Sequence, residues 1–138
     1  MTVTLNPYLA FRDTAREAME FYRSVLGGEL KLATFSDFGM SSDPADADLI
    51  MHGFLTSDDG LVIMASDTPS SMEWAPRGGD SIALGGDDEE TLRGFWNGLS
   101  DGAEVREPLA AAPWGSGDIF GMLTDRFGVN WMVSISQR

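Results

Sequence analysis

The chain has 138 residues, 43% hydrophobic and 10% aromatic, with 22 acidic against 9 basic side chains and a formal charge of −13. That composition is globular and long enough to bury about two thirds of the unfolded surface, and its charge disfavours nucleic acid and anionic membranes as partners. The absence of cysteine excludes disulfides, zinc–thiolate centres and cysteine nucleophiles, and it suits a reducing cytoplasm.

Asn6 to Phe11, NPYLAF, reads as a short strand in which Pro7 supplies no ladder donor. Thr14 and Glu17 have the spacing of a capping box, and Ala15, Ala18, Met19, Tyr22, Val25 and Leu26 recur at helical spacing until Gly27-Gly28. A third element runs from Glu29 to Phe35, and the Gly-, Ser- and Asp-rich stretch to Ala47 reads as a loop. A hairpin follows, Leu49 to Thr56 and Leu61 to Ser66, turning at Ser57-Asp58-Asp59-Gly60. Leu61 to Ala65 is the longest apolar run, too short for a membrane span or a signal peptide, so no membrane partner is expected.

The plan then repeats. Asp80 to Gly85 reads as a strand, and a helix opens at Asp87 with Glu90 three residues on. Leu92, Phe95, Trp96 and Leu99 form its apolar face and Gly102 closes it. Ala103 to Leu109 is a further element, Leu109 to Gly117 a loop containing Trp114, and Ile119 to Thr124 with Val129 to Ile135 a second hairpin turning at Asp125 to Gly128. A displacement of 74 positions sets Phe21-Tyr22 on Phe95-Trp96, Gly28 on Gly102 and Pro7 on Ser81. Aligning the turn glycines Gly60 and Gly128 sets Met64 on Met132.

The expected fold is a single α+β domain over residues 1–138, built from paired βαβββ modules at about 1–67 and 79–138 with a linker at about 68–78. Each module has one sheet face covered by its helix and one left open, and two copies can close their open faces around a shared cleft.

The segments PYLAFRDTAREAMEFYRSVLGGE, LIMHGF, IMASD and MLTDRFGVNWMVSI resemble the PhnB-like branch of the vicinal oxygen chelate superfamily, the glyoxalase, bleomycin-resistance and extradiol dioxygenase group. The resemblance runs over nearly the whole chain and implies the paired-module fold and a homodimer. It also implies that metal-using members draw one ligand from the first and one from the last strand of each module. Those positions fall here on Pro7, Met64, Ser81 and Met132. Such a set offers one neutral hydroxyl and two thioethers, a poor match to a hard or first-row divalent cation, so neither metal nor other cofactor is expected.

His52 is the only histidine and the weak candidate for a catalytic base, if Ser66 or Asp67 orients it. Its face depends on the register of the hairpin, since a slip of one residue turns it to the helix side. No G-x-S-x-G elbow and no glycine-rich strand–turn–helix for a nucleoside cofactor is present. The expected site is a mostly apolar cup for a small organic ligand, with Leu9, Phe11, His52, Phe54, Met64, Ser66, Ser81, Trp114, Phe120 and Met132 as lining. The alternative is a lyase-, isomerase- or dioxygenase-type enzyme using His52, with or without an atypically placed metal. Trp131, Val133 and Ile135 are expected to point toward the helices as core.

Overall fold

A computed structural model describes residues 4–39, 43–73, 78–112 and 117–137. The chain divides into two compact units, residues 1–75 and 76–138. The first holds β1 (Tyr8–Phe11), α1 (Ala15–Leu26), β2 (Glu29–Thr34), β3 (Ile50–Thr56) and β4 (Val62–Asp67), with short 3-10 turns at Ser36–Phe38 and Pro44–Asp46. The second holds β5 (Ile82–Gly86), α2 (Glu89–Leu99), β6 (Glu104–Ala111), β7 (Ile119–Thr124) and β8 (Asn130–Ile135). Each unit forms a four-stranded mixed sheet, in the orders β1-β4-β3-β2 and β5-β8-β7-β6. The β1–β4 and β5–β8 pairs are parallel and the others antiparallel. This is the α+β architecture that the repeat predicts.

Strand alternation puts one set of side chains under the helix. In the first unit Leu9, Phe11, Leu55, Ile63 and Ala65 are buried with Ala15, Ala18, Met19, Tyr22 and Leu26 of α1. In the second, Leu84, Leu123, Trp131, Val133 and Ile135 are buried with Leu92, Phe95, Trp96 and Leu99 of α2. Gly53 and Gly121 occupy the same place in the two hairpins, and a Cβ on Gly121 would stand 2.7 Å from the Trp96 ring and 3.0 Å from Leu109 Cα. A glycine is therefore what lets the α2 tryptophan lie down on β7.

The helix starts differ from expectation in two ways. Thr14 makes no side-chain cap hydrogen bond. Instead the buried Asp67 carboxylate accepts the Ala15 N–H through Oδ1 and the Ile50 N–H through Oδ2, each at 2.9 Å. A carboxylate held at the end of β4 thus satisfies the first amide of the helix, a donor outside the reach of the expected capping box, and its charge suits the helix N-terminus. In α2 the cap is Asp88 rather than Asp87, with Oδ1 accepting from the Thr91 N–H at 3.2 Å and Oδ2 from the Thr91 hydroxyl at 2.8 Å.

The displacement of 74 holds for the helices but not for the strands before them. Leu9 lies beside Ala65 and Leu84 beside Val133, the same place in the two hairpins. Likewise Thr68 N–H donates to Phe11 O while Ser136 N–H donates to Gly86 O. The strands thus correspond at a displacement of 75, and the strand-to-helix link of the second unit is one residue shorter. Pro7 corresponds to Ile82, not to Ser81, which precedes β5.

Candidate functional site

The helix-free face of the first sheet is set by its ladders. Tyr8 lies beside Met64, and Phe54 opposite Met64. Alternation brings His52 and Ser66 to the same side, and Lys31 joins them opposite Phe54. His52 therefore occupies the open face, not the helix side. Its ring lies 6.1 Å from that of Tyr8 at 56° and 6.2 Å from that of Phe54 at 28°. These are the distances of interacting aromatic pairs, tilted in the first case and stacked in the second. A groove of about 580 Å3 at the β2 side of this face has Phe54, Lys31, Glu29 and Thr56 among its walls. Lys31 and Glu29 pair there at 3.4 Å, both largely exposed.

Two expectations for this face are corrected. Leu9 and Phe11 lie on the opposite side, beside Ala65 and Asp67, and are 9% and 2% exposed as core. The parity of β1 places Tyr8 and Ala10 on the Met64 side, one residue away from the expected Leu9 and Phe11. Asp67 also faces the helix, and its carboxylate is committed to the Ala15 and Ile50 amides, so it does not orient His52. Ser66 remains on the His52 side. Among the described residues the His52 side chain makes ring contacts and no hydrogen bond.

In the second unit the helix-free face carries Phe120 opposite Ser134, Met122 opposite Met132, and Thr124 opposite Asn130. Ala83 and Gly85 of β5 complete it beside Met132 and Ser134. Hairpin alignment places Phe120 where the first unit has His52, and Met122 where it has Phe54. Trp114 lies outside the described residues. Tyr8 and Met122 are not among the lining residues that the sequence suggests; the shared Gly53 and Gly121, which fix the parity of each hairpin, signal Met122, and only the ladder to β4 reveals Tyr8.

Met64 has Tyr8 beside it and Met132 has Ala83 beside it, which supplies no imidazole or carboxylate at either strand pair. Among the described residues no three His, Asp or Glu side chains cluster as metal ligands. The donor set does not fit the cation that metal-using relatives hold.

Paired helix-backed sheets of this strand order, matched by the family model over residues 4–133, place the chain in the Glyoxalase/Bleomycin resistance protein/Dioxygenase superfamily, to which it belongs. It is 37% identical to protein PA1353 from Pseudomonas aeruginosa, whose crystal structure superposes with a TM-score of 0.83 over 99% of this chain and 100% of that one. It is 26% identical to protein YjdN of Escherichia coli (strain K12) over 95% of this chain and 94% of that protein. A PhnB protein from Bacillus cereus, 22% identical, shares the fold with a TM-score of 0.69 over 97% of this chain and 100% of that one. Among the described residues no helix is long and apolar enough to cross a membrane.

Proposed function

We propose that this protein binds a small, flat, largely apolar organic molecule on the helix-free faces of its sheets, without the metal that dioxygenase-type relatives use. One observation carries the reading: Tyr8, His52, Phe54 and Met64 tile one sheet face with three rings and a thioether, the rings 6.1 and 6.2 Å apart. Aromatic faces supply stacking area, and the polar tips of Tyr8 and His52 supply directional contacts to ligand heteroatoms. The binding residues in this reading are His52, Phe54, Met64 and Ser66 with Tyr8 added, and Phe120 and Met132 on the second sheet. Trp114 belongs to the proposal from sequence alone. A homodimer in the cytoplasm, with the two units acting as one domain, completes it.

A thermal-shift screen of neutral planar aromatics tests the reading, because a ligand that binds only the native state stabilises it by about 2.7 kcal/mol at a hundredfold excess over Kd. The expected result is a concentration-dependent rise in Tm that His52→Ala and Phe54→Ala weaken. Stoichiometric nickel, zinc, iron or manganese in protein purified without chelators would overturn the metal-free part.

A second reading, catalysis with His52 as general base, is favoured by Ser66 and Tyr8 sharing its face. It requires that His52→Ala abolish turnover of a glyoxalase- or dioxygenase-type substrate while ligand binding survives.

A further inference from the structure

Methionine is distributed unevenly over the two helix-free faces. In the first sheet Met64 stands between two rings, Phe54 opposite and Tyr8 beside it. In the second, Met132 faces another thioether, Met122, directly across the β7–β8 ladder, and its other neighbour is the single methyl of Ala83. Directly opposed side chains in an antiparallel pair have Cβ atoms about 5 Å apart, so the two thioethers form one patch. Both are half-buried. Their accessibility is bracketed within the same chain by Met19, 0% exposed in the core, and Met72, 63% exposed.

A thioether that a small oxidant reaches, on a face whose use depends on being apolar, is a chemical liability and equally a control point. We infer that Met122 and Met132 form a paired, reversible oxidation site whose conversion to sulfoxide closes the second sheet's face to apolar ligands; the closing half of this inference rests on the binding reading above. The oxidant is a hydroperoxide. Its terminal oxygen is transferred to a sulfur lone pair as the O–O bond breaks and an S–O bond forms, leaving water or an alcohol. Sulfur loses two electrons and the peroxide gains them. The reverse step is reduction of the sulfoxide by a thiol-dependent methionine sulfoxide reductase, with the oxygen leaving as water. Each sulfoxide places a strong acceptor on the face. Covering it with an apolar ligand strands that acceptor without a donor, which weakens binding by about tenfold or more.

The native protein is exposed to graded hydrogen peroxide. Peptide mass mapping follows each methionine, and binding of the neutral planar dye Nile red is titrated before and after. The expected order of oxidation is Met72 first, Met122 and Met132 together next, and Met19 last. Dye affinity is expected to fall about tenfold with the second group rather than the first, and to return on treatment with the reductases. Met72→Leu is expected to leave the peroxide sensitivity of dye binding unchanged. In the double variant Met122→Leu and Met132→Leu, conservative in volume, the fall in dye affinity on peroxide treatment is expected to shrink from about tenfold to none, whatever the starting affinity of the variant. The oxidation site is overturned if Met122 and Met132 stay reduced as long as Met19 does. Closure is overturned if both are oxidised and dye affinity is unchanged. If the untreated protein binds no dye, the binding reading falls and closure with it, while mass mapping still decides the oxidation site.

Discussion

The Asp67 carboxylate accepts the backbone N–H of Ala15 at 2.9 Å, so the last residue of β4 caps the helix that begins more than fifty positions earlier in the chain. Its second oxygen holds the first amide of β3. Asp67→Ala strands two buried donors and is expected to cost about 3 kcal/mol or more. Thr14→Ala, at the nominal cap, is expected to cost less than about 0.5 kcal/mol, against about 1 kcal/mol for Asp88→Ala, whose side chain does cap α2. Urea unfolding of the three variants checks this order; equal losses at Thr14 and Asp67 contradict it.

Gly121→Ala forces a methyl to within 2.7 Å of Trp96 and 3.0 Å of Leu109 Cα. Overpacking of this kind costs about 1–3 kcal/mol. Gly53→Ala meets the Leu32 side chain at 3.2 Å and the Met19 side chain and Ala65 carbonyl oxygen at 3.5 Å, and should cost less. Trimming the ring in Gly121→Ala/Trp96→Leu is expected to give a sub-additive loss, measurable as a double-mutant cycle.

The Glu89 carboxyl is held below its ordinary range, chiefly by the Arg93 guanidinium that donates to it at 2.8 Å and next by the Gln137 amide. A depressed folded-state value means that its contribution is present at neutral pH and is lost as pH falls through that value. Arg93→Met is expected to move the Glu89 titration upward toward that of free glutamate, read by carbon NMR of the side chain. No movement would show that Arg93 is not the cause.

Residues on the two sides of the first sheet should separate binding from stability. Phe54→Ala is expected to weaken the best aromatic ligand at least about fivefold, the stacking of one ring pair. Leu9→Ala, in the core, is expected to cost about 2–5 kcal/mol of stability and leave affinity within about twofold. Calorimetric titration beside thermal unfolding distinguishes them, and a reversed pattern would place the site on the wrong face.

Much of the architecture was legible from periodicity. The helix faces at Met19, Tyr22, Phe95 and Trp96, both hairpin turns and the burial of Trp131, Val133 and Ile135 follow from spacing alone. What spacing did not carry was parity. The family resemblance points to Pro7, yet only the parallel ladder to β4 shows that Tyr8 shares the face of Met64. Local pattern also favoured Thr14 as a cap, because a carboxylate arriving from Asp67 is a tertiary event with no signature near the helix. His52 was ambiguous for the same reason, since its side depends on pairing with β4.

Asp13 holds a left-handed backbone, φ 67°, in the strand-to-helix link of the first unit, the link that is one residue shorter in the second. The residues of the two links, Arg12, Asp13 and Thr14 in the first unit and Asp87 and Asp88 in the second, are exposed or half-buried, so the difference in length removes no fully buried side chain. It nevertheless breaks the numerical correspondence between the halves. A ligand position transferred from one half to the other by counting through that link lands on the reverse side of the strand.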